Sequence, residues 1–581
     1  MLSAHDEIKR RRFPNQNIVY RLRQRELHVV KPGAELPRIR SMYQSIYPTT
    51  TVVNVELPNC FLRKFSPCGR HLIAFSSHQH AVEIYEFRGS DSARQFLALA
   101  LEKSEAKRSS YEADADDKSE YSLFGNQPVD VESENDRNFV LKNLFSQFFR
   151  LKHSVALTQM NEQLNRECSL FTVDGRYLIV AASAVVHEDQ VPRMNELFRN
   201  NESITPTPNQ MPEDYSVYSV DIHSGQLVDS RRFKCDRIYL AHNQGLCLYD
   251  RTLAIMSVEH QTVYLFRIDE DGHFIELQSI GRFLYDDDEM KMNAVMEWTY
   301  RGRQPANPRV QPSADPALNG LKQRILSFLY AKAVDAQRET GDMYSLRNFY
   351  RFYEFYRWLR MWRMQLLDEN HLLIRYASED VVSMRVDPTS QTSFFVFYNI
   401  PETRVLAIHE SISEDLLLLY ERYYDDFRGF PADRFVSTFC NSEEARKAHQ
   451  KFKETIRNAK FGGDTEAIRR VLLQLPISAQ SFNPSPYLDM ELFSYDDKWV
   501  SFYERPRPCS DYPVSFHGRQ CQTSKFKIQL GPMGRVPTNN SAIRSLVAFI
   551  FHPSEPFAIS VHRNNRDYVV NFHIRYERGQ I

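Results

Sequence analysis

The feature of this sequence that most constrains its fold is a strand-turn-strand unit that recurs along the chain. In its first copy, which begins at Phe65, a polar turn separates apolar runs of strand length. A second copy begins at Phe171 and keeps the same frame, which is Phe, three residues, Gly-Arg, one residue and Leu-Ile. A looser copy begins at Phe551. Because one short antiparallel unit that recurs over a long chain is typical of a β-propeller, we predict a mainly β fold, a β-propeller-like array of antiparallel blades.

The turn of the first copy contains the residues that a tight turn requires. Pro67 sets one backbone angle in advance, and Gly69 permits a positive φ. The apolar run that follows, residues 72–75, has the length of a short strand. The polar residues Ser77–His80 break this run. The apolar residues that resume it are Val82, Ile84, Tyr85 and Phe87. We therefore expect two adjacent antiparallel strands after the turn.

Composition limits the class of protein. The chain has 581 residues, more than one compact core usually needs, and a formal net charge of -1, which favours neither nucleic acid nor an acidic substrate. Its eight cysteines form no C-x-x-C pair, which argues against zinc and suits a reducing compartment. The chain has no signal-peptide core and no apolar run near the roughly 20 residues of a membrane span, so we expect a soluble cytosolic or nuclear protein.

Residues 1–50 differ from the rest of the chain. Between positions 1 and 46 the sequence has ten Lys or Arg against four Asp or Glu. Apolar spacing predicts a helix-loop-helix of two short amphipathic helices. Their apolar residues are Ile18, Val19, Leu22, Ile39, Met42, Tyr43 and Ile46. Helices this short must dock on something, and either a partner protein or the chain's own propeller meets that requirement.

A basic run opens this segment. It consists of Lys9, Arg10, Arg11 and Arg12. Short runs of Lys and Arg are compatible with nuclear import. A charged helix start explains the same residues, so the run alone does not decide the compartment.

Residues 51–581 are predicted to form one propeller-like domain with three departures from regular strands. Residues from about 102 to 137 are charged and poor in aromatic residues, which predicts a disordered acidic loop. Helical insertions are expected at about 320–366 and 414–473.

The first insertion has the more unusual composition. We predict helices over 321–337 and 346–367, and a strand over 381–386 beyond the insertion. The second helix is dense in arginine and aromatic residues, which can stack nucleic-acid bases. An amphipathic helix that packs on the array explains the same composition, and we favour that interpretation.

The sequence contains none of the common catalytic or cofactor motifs. It lacks a Walker A loop, a dinucleotide-binding GxGxxG, an HExxH helix and a GxSxG elbow. The acidic run 285–289 could bind a cation, but such runs are more often solvated turns. We therefore predict a binding or scaffold protein with no cofactor and no metal. The alternative is a hydrolase whose active site lies in the funnel of the propeller.

Several long runs resemble the De-etiolated-one family, and the resemblance extends from about Asn15 to Ile574. The runs that carry it are Thr51–Glu56, Cys60–Pro67, Leu164–Thr172, Phe233–Asp236, Ala241–Gly245, Met364–His371, Leu475–Ser481, Leu492–Val500 and Phe551–Val561. The resemblance implies a nuclear, non-catalytic substrate-receptor or bridging subunit of a cullin 4 RING E3 ubiquitin ligase. It also implies transcriptional repression and histone binding at chromatin.

The same resemblance implies three partners. They are the large propeller adaptor of cullin 4 ligases, a constitutive-photomorphogenic-type RING ligase, and a ubiquitin-conjugating enzyme or its inactive variant. Receptors for that adaptor commonly insert an N-terminal helix-loop-helix between its propellers, which implies adaptor binding by the apolar residues of the N-terminal helices. One departure is that none of the four tryptophans is followed by Asp, so the Trp-Asp-x-Arg of many receptors is missing. The alternative function is a chromatin-bound repressor that binds histones or DNA directly.

Overall fold

The computed structural model describes residues 43–98, 131–186, 202–281, 320–427, 450–518, 523–528 and 545–576, with short gaps inside every range except 523–528. In this part of the chain, 24 strands form six antiparallel sheets. The sheets are arranged like blades, which confirms the predicted mainly β, propeller-like fold class.

The elements are numbered in chain order. The strands are β1 Thr50–Val52, β2 Cys60–Phe65, β3 His71–Ser76, β4 Ala81–Phe87, β5 Phe149–Ala156, β6 Gln163–Phe171, β7 Tyr177–Val185, β8 Glu213–Asp221, β9 Gln226–Asp236, β10 Leu246–Tyr249, β11 Thr252–Ser257, β12 Thr262–Ile268, β13 Phe274–Ile280, β14 Leu359–Leu366, β15 His371–Ser378, β16 Phe394–Asn399, β17 Arg404–Glu410, β18 Phe493–Ser494, β19 Arg507–Cys509, β20 Val514–Gly518, β21 Ser524–Ile528, β22 Ser545–Phe551, β23 Ala558–Arg563 and β24 Tyr568–Ile574. The α-helices are α1 Val131–Phe148, α2 Gly320–Thr340, α3 Tyr344–Arg357, α4 Glu379–Val382, α5 Glu414–Arg422 and α6 Gly463–Leu472.

Most blades are simple antiparallel meanders. Blade 1 contains β2–β5, blade 2 contains β6–β9, blade 3 contains β10–β13 and blade 4 contains β14–β17, each in chain order. Blade 5 contains β18, β20 and β21. Blade 6 has the order β1-β24-β23-β22-β19, so the first described strand completes a sheet of C-terminal strands. This pairing joins the two ends of the array.

The recurring sequence unit is a hairpin within a blade. Phe65, Phe171 and Phe551 are the last residues of β2, β6 and β22. In each hairpin the next residue donates its backbone N–H to a carbonyl at or next to the start of the following strand, over 2.7, 3.0 and 2.9 Å respectively. The two predicted strands of the first copy are β3 and β4, and those of the third copy are β23 and β24; each pair is antiparallel, which confirms the prediction.

Gly69 has the positive φ expected from its place in the first turn, with a value of +76°. A Cβ atom at this position would lie 2.4 Å from Cε1 of His552 in blade 6. The His552 ring also lies 4.8 Å from Phe65 and 4.7 Å from Phe87, measured between ring centroids. Glycine is therefore required both by the backbone angle and by the close packing of blade 1 on blade 6.

Buried polar side chains join β1 to the C-terminal strands. Nδ1 of His573 lies 3.0 Å from the Thr51 hydroxyl oxygen, and its Nε2 lies 3.0 Å from the Ser560 hydroxyl oxygen. Nε2 of His562 lies 3.2 Å from the amide nitrogen of Asn571. Burial lowers the pKa of His573 to about 3 and the pKa of His562 to about 4. Both imidazoles are therefore neutral at pH 7, and they stabilise the sheet through hydrogen bonds rather than charge.

We expect the protein to lose stability as the pH falls from about 6.5 towards 4. In this range the unfolded chain protonates its histidines, whereas folded His562 and His573 stay neutral because their pKa values are lowered. The contribution of each is present above about pH 6.5 and is lost at about 1.4 kcal/mol per pH unit below it. Urea unfolding at a series of pH values measures the slope. The double variant His562→Gln/His573→Gln should show a shallower slope, and an unchanged slope would contradict the assignment.

The predicted disordered loop is wrong at its C-terminal end. The prediction covered about 102–137, but α1 begins at Val131, and residues 99–130 lie outside the described part of the chain. Leu141, Leu144 and Phe148 are buried and lie on one face of α1 at helical spacing. This face anchors the helix on the core between blades 1 and 6, and the helix continues upstream through charged residues. None of the described helices is long and apolar enough to cross a membrane.

The helix predicted over 346–367 is wrong beyond Arg357. There α3 ends, and Leu359–Leu366 forms β14, the first strand of blade 4. A β-bulge between Met361 and Arg363 shifts the register with β15, so apolar residues do not alternate strictly and the period of a strand is hidden. Pairing with a neighbouring strand, which is a tertiary contact, decides the structure of this segment.

The strand predicted over 381–386 is also wrong. Residues Glu379–Val382 form the short helix α4, which follows Ser378 in an extended conformation. Acidic residues in the first turn of a helix interact favourably with its dipole, and Glu379 and Asp380 occupy that turn. The buried Val381 and Val382 produced the misleading apolar run.

Candidate functional site

Most residues of the predicted N-terminal sites lie outside the described part of the chain. Those of the adaptor-binding set are Ile18, Val19, Leu22, Ile39 and Met42. Those of the basic run are Lys9, Arg10, Arg11 and Arg12. The acidic run 285–289 lies outside it as well.

The remaining two residues of the adaptor-binding set lie beside blade 5. Tyr43 is 4% exposed, and its ring packs edge-to-face on Tyr487 with the centroids 5.6 Å apart. Its hydroxyl donates to the backbone carbonyl of Ser554. Ile46 is 36% exposed, and its carbonyl accepts a hydrogen bond from the Tyr487 hydroxyl. Tyr43 is therefore a core residue, as the alternative of packing on the chain's own propeller predicted, whereas the Ile46 side chain is accessible.

Residues 475–483, which we name the axial segment, cross between the blades. The backbone N–H of Ile477 donates to Oε1 of Gln365 in β14 over 2.8 Å. At its other end, Nδ2 of Asn483 donates to the carbonyl of Phe551 in β22 over 3.3 Å. These partners belong to blades 4 and 6. Because the blades of a propeller surround a central channel, a segment that bonds to several of them occupies that axis.

Gln480 of the axial segment binds blade 2 in the manner of a neighbouring strand. The backbone N–H of Phe171 donates to Oε1 of Gln480 over 2.8 Å, and Nε2 of Gln480 donates to the Phe171 carbonyl over 2.5 Å. The carbonyl of Gln480 accepts from Nζ of Lys64 in blade 1 over 3.5 Å. Strand β6 is an edge strand of its sheet, so this amide satisfies backbone groups that have no strand beside them.

Two further amides cap edge strands in the same way. Oδ1 of Asn243 accepts from the backbone N–H of Ser169 in β6 over 2.8 Å, and its Nδ2 donates to a carbonyl of the axial segment over 3.1 Å. Oε1 of Gln261 accepts from the N–H of Met361 in β14 over 2.5 Å, and its Nε2 donates to the Met361 carbonyl over 3.1 Å. All three amide residues have a positive φ, between 48° and 58°. Side-chain amides therefore close the inner edges of blades 2 and 4.

Sequence reasoning missed these amides, although Asn243 and Gln480 lie in runs that carry the family resemblance. Asn243 pairs with a backbone group 74 residues away, and Gln480 with one 309 residues away. A single amide has no characteristic spacing, so no local signal identifies such a pair. Together with the axial segment, the amides fill the axis with the chain's own hydrogen-bonded groups.

Arg375 fixes the start of the axial segment. Its side chain is fully buried and donates to the carbonyls of Leu473 and Leu475 over 3.1 and 3.4 Å. The guanidinium also lies 4.6 Å from the centroid of the Trp362 ring. Burial lowers the pKa of Arg375 to about 9, so it stays cationic at neutral pH. Carbonyl dipoles and the aromatic face stabilise this charge.

A buried ion cluster joins the first helical insertion to blade 4. Oε1 of Glu202 lies 3.8 Å from Nζ of Lys322 in α2 and 3.9 Å from a guanidinium nitrogen of Arg360 in β14. Nζ of Lys322 also donates to the backbone carbonyl of Leu359. Burial raises the pKa of Glu202 and lowers the pKa of Lys322 to about 8. Because the carboxylate lies between cations from two elements, it holds α2 against β14.

The described residues offer no evident metal site. In the parts of the chain given above, no group of three or more His, Cys, Asp or Glu residues is placed to hold an ion. The polar groups that bind the axial segment are side-chain amides, backbone groups and the cations Lys64 and Arg375. The arrangement therefore provides rigidity at the axis and leaves the outer faces of the blades for contacts.

Comparison with known sequences identifies the family. A profile of the family described as De-etiolated protein 1 Det1 matches residues 166–576. This chain belongs to the Det1 family. The resemblance predicted from the sequence runs is thereby confirmed.

Two curated relatives resemble this Det1-family chain over nearly its whole length. The light-mediated development protein DET1 of Arabidopsis thaliana is 29% identical over 588 residues, covering 97% of this chain and 100% of the relative. The protein of the same name from Solanum lycopersicum is 27% identical over 572 residues, with the same coverage of 97% and 100%. None of these names indicates a catalytic activity.

The similarity to solved structures is weak. The periplasmic gluconolactonase PpgL of Pseudomonas aeruginosa matches with a TM-score of 0.18 and 14% identity, over 38% of this chain and 40% of that protein. The fold class of the Det1-family chain rests on the sheets and their order.

Proposed function

We propose that this Det1-family chain is a non-catalytic substrate-receptor or bridging subunit of a nuclear cullin 4 RING E3 ubiquitin ligase. It recruits a ubiquitin-conjugating enzyme and substrates, and it represses transcription by lowering the level of transcription regulators. Membership of the Det1 family over residues 166–576 is the observation that carries the proposal. The relatives are named for light-mediated development, which fits a regulatory role.

The mechanism is proximity. A subunit that holds an enzyme and its substrate together raises their effective concentration and needs no catalytic group of its own. The architecture supports this role, because the axial segment and the amides of Asn243, Gln261 and Gln480 occupy the axis with bonds internal to the chain. Rigid blades then present their outer faces and insertions to partners.

The partners follow from the same proposal. They are the large propeller adaptor of cullin 4 ligases, a constitutive-photomorphogenic-type RING ligase, and a ubiquitin-conjugating enzyme or its inactive variant. The N-terminal helices dock on the adaptor, and the basic run at residues 9–12 directs the chain to the nucleus. Ile46 supports the docking role, because its side chain is accessible in the segment that leads from the N-terminal residues into β1.

The double variant Leu22→Asp/Ile46→Asp tests adaptor docking with the full chain. We expect the recovery of purified adaptor to fall at least about tenfold, because two carboxylates would enter an apolar groove. Co-purification of the two proteins at equal input measures the effect. Tyr43 is unsuitable for this test because it is a core residue, and its replacement would disturb blade 5.

The matched control is Ile275→Asp. Ile275 is 49% exposed on β13 of blade 3, far along the chain from the N-terminal helices. We expect this variant to bind the adaptor as the original chain does, and both variants to keep the unfolding midpoint. Undiminished adaptor binding by the double variant would contradict the proposal. Steep salt-dependent binding to naked DNA would then favour the chromatin-bound repressor.

A further inference from the structure

The helix α3 has two faces, and its inner face packs on the rest of the chain. Phe349 is buried and contacts Tyr330 of α2 with the ring centroids 5.5 Å apart. Near the end of the helix, Tyr356 packs edge-to-face on Phe394 of β16 at 5.6 Å. These contacts fix the rotation of the helix about its own axis. The opposite face is therefore held towards solvent.

The outer face carries a stripe of large side chains. Its members, which we name the α3 stripe, are Tyr344, Arg347, Arg351, Phe355 and Trp358. They follow at intervals of three, four, four and three residues, which places the first four on one side of α3 and Trp358, the residue after its last turn, in line with them. Tyr344, Phe355 and Trp358 are 68%, 40% and 56% exposed. An amphipathic helix normally turns large aromatic residues inward, so exposed aromatic side chains on its outer face indicate a contact surface.

The charge in the middle of the stripe is positive. Arg347 and Arg351 are both exposed and lie one turn apart. Within the described part of the chain, neither guanidinium forms an ion pair, and the nearby carboxylate of Glu354 lies 3.6 Å from Arg357 instead. Like charges at this spacing repel each other mildly in the free helix. Carboxylates from outside would remove that repulsion.

The number of charges separates a protein partner from a nucleic acid. Binding to a nucleic-acid backbone rests on Lys and Arg side chains that neutralise phosphates, and a protein with strongly salt-dependent binding makes about 6–10 such contacts. The α3 stripe has two arginines and three aromatic rings, and the neighbouring Arg338 of α2 already lies 3.7 Å from Asp335. Aromatic residues and arginine are enriched at the centre of protein interfaces.

We propose that the α3 stripe binds an acidic amphipathic helix of a partner protein. The aromatic side chains receive apolar residues of that helix, and Arg347 and Arg351 bind its Asp or Glu side chains. Planar guanidinium groups bind carboxylates through paired hydrogen bonds, which sets the register of the two helices. In this mode of recognition, the bound helix contacts the surface through its apolar residues, which are spaced three and four positions apart. The surface is independent of the adaptor and ligase assignments.

The test uses the purified full chain and a labelled synthetic peptide. The peptide is a helix of about 18 residues, or five turns, with Leu on one face and Glu on both flanks of that face. We expect saturable binding by fluorescence anisotropy, weakened at least about tenfold by Arg347→Glu/Arg351→Glu. A second peptide with Lys in place of Glu should bind the charge-reversed variant better than the original chain. Both substitutions are at exposed positions, and circular dichroism confirms that the variant is folded.

The control is Arg150→Glu, an exposed arginine on β5 of blade 1, which should leave both affinities unchanged. The proposal would be overturned if the acidic peptide did not bind, or if the charge-reversed variant bound it equally well. It would also be overturned if the chain bound a single-stranded oligonucleotide instead of the peptide and lost that binding on charge reversal. Dimerisation of the chain through this surface, lost in Trp358→Ala, would overturn it as well. A photo-cross-linker at Tyr344 that joins the stripe to another segment of the same chain would also overturn it.

Discussion

Replacement of Glu202 by glutamine is expected to lower the free energy of unfolding by about 3–5 kcal/mol, one of the two largest effects that the structure predicts. The Glu202 carboxylate lies within 4 Å of Lys322 and Arg360, and both Glu202 and Lys322 are buried. Glutamine keeps the shape but removes the negative charge. The charges of Lys322 and Arg360 then stay buried without the carboxylate that offset the loss of their hydration, although Arg360 has a second carboxylate nearby, that of Glu379. Urea unfolding of the full chain measures the change.

Two controls separate the buried charge from simple loss of an ion pair. Asp91→Asn removes the ion pair of Arg94 and Asp91, whose N–O distance is 2.6 Å but whose side chains are exposed, and should cost less than about 1 kcal/mol. Glu202→Leu/Lys322→Met removes two of the three buried charges of the cluster and should recover much of the lost stability. Arg360 keeps Glu379, whose Oε2 lies 3.8 Å from it. A Glu202→Gln effect no larger than that of Asp91→Asn would contradict the prediction.

Replacement of Gln480 by leucine is expected to destabilise the protein by about 2–5 kcal/mol, because two buried backbone groups of Phe171 lose their partners. Leucine has a similar size, so little of the effect should come from lost volume. Urea unfolding measures the total. Hydrogen exchange of the β6 peptide measures the local effect, since the Phe171 amide should exchange faster than its neighbours in β7.

The matched control is Gln79→Leu. Gln79 has a φ of +58°, close to the +48° of Gln480, so both substitutions place leucine in the same backbone region. Gln79 lies at the tip of the β3–β4 hairpin and is half-buried, as Gln480 is, so the two substitutions are matched in burial as well as in backbone angle. We expect a much smaller loss of stability there, and no change in exchange at Phe171. Equal losses in the two variants would indicate backbone strain rather than the amide pair.

The predictions from sequence succeeded where the structural cause is local. The hairpins that begin at Phe65, Phe171 and Phe551 depend on turn residues a few positions apart, and all three are present. Gly69 has the backbone angle that its turn requires. The predictions failed at β14, where a β-bulge obscures the alternation of apolar residues. They also failed at α4, where two adjacent valines have the apolar character expected of a strand.

The candidate site was predicted less well. Of the apolar residues assigned to adaptor docking, only Tyr43 and Ile46 lie in the described part of the chain, and Tyr43 belongs to the core. The amides at the axis were not predicted at all. Each pairs with a backbone group far away in sequence, so its role appears only after the blades are assembled.

By itself, the sequence determined the antiparallel hairpins, the mainly β class and the family. Turn chemistry, apolar period and long specific runs all act within short segments of the chain. Only the tertiary structure decided that β1 pairs with β24, that the axial segment lies among the blades, and that the α3 stripe faces outward. A strand edge or a buried amide and its partner are far apart in sequence, so their contact closes a loop of many residues. The cost of closing such a loop rises only slowly with its length, so residue spacing cannot specify the partner.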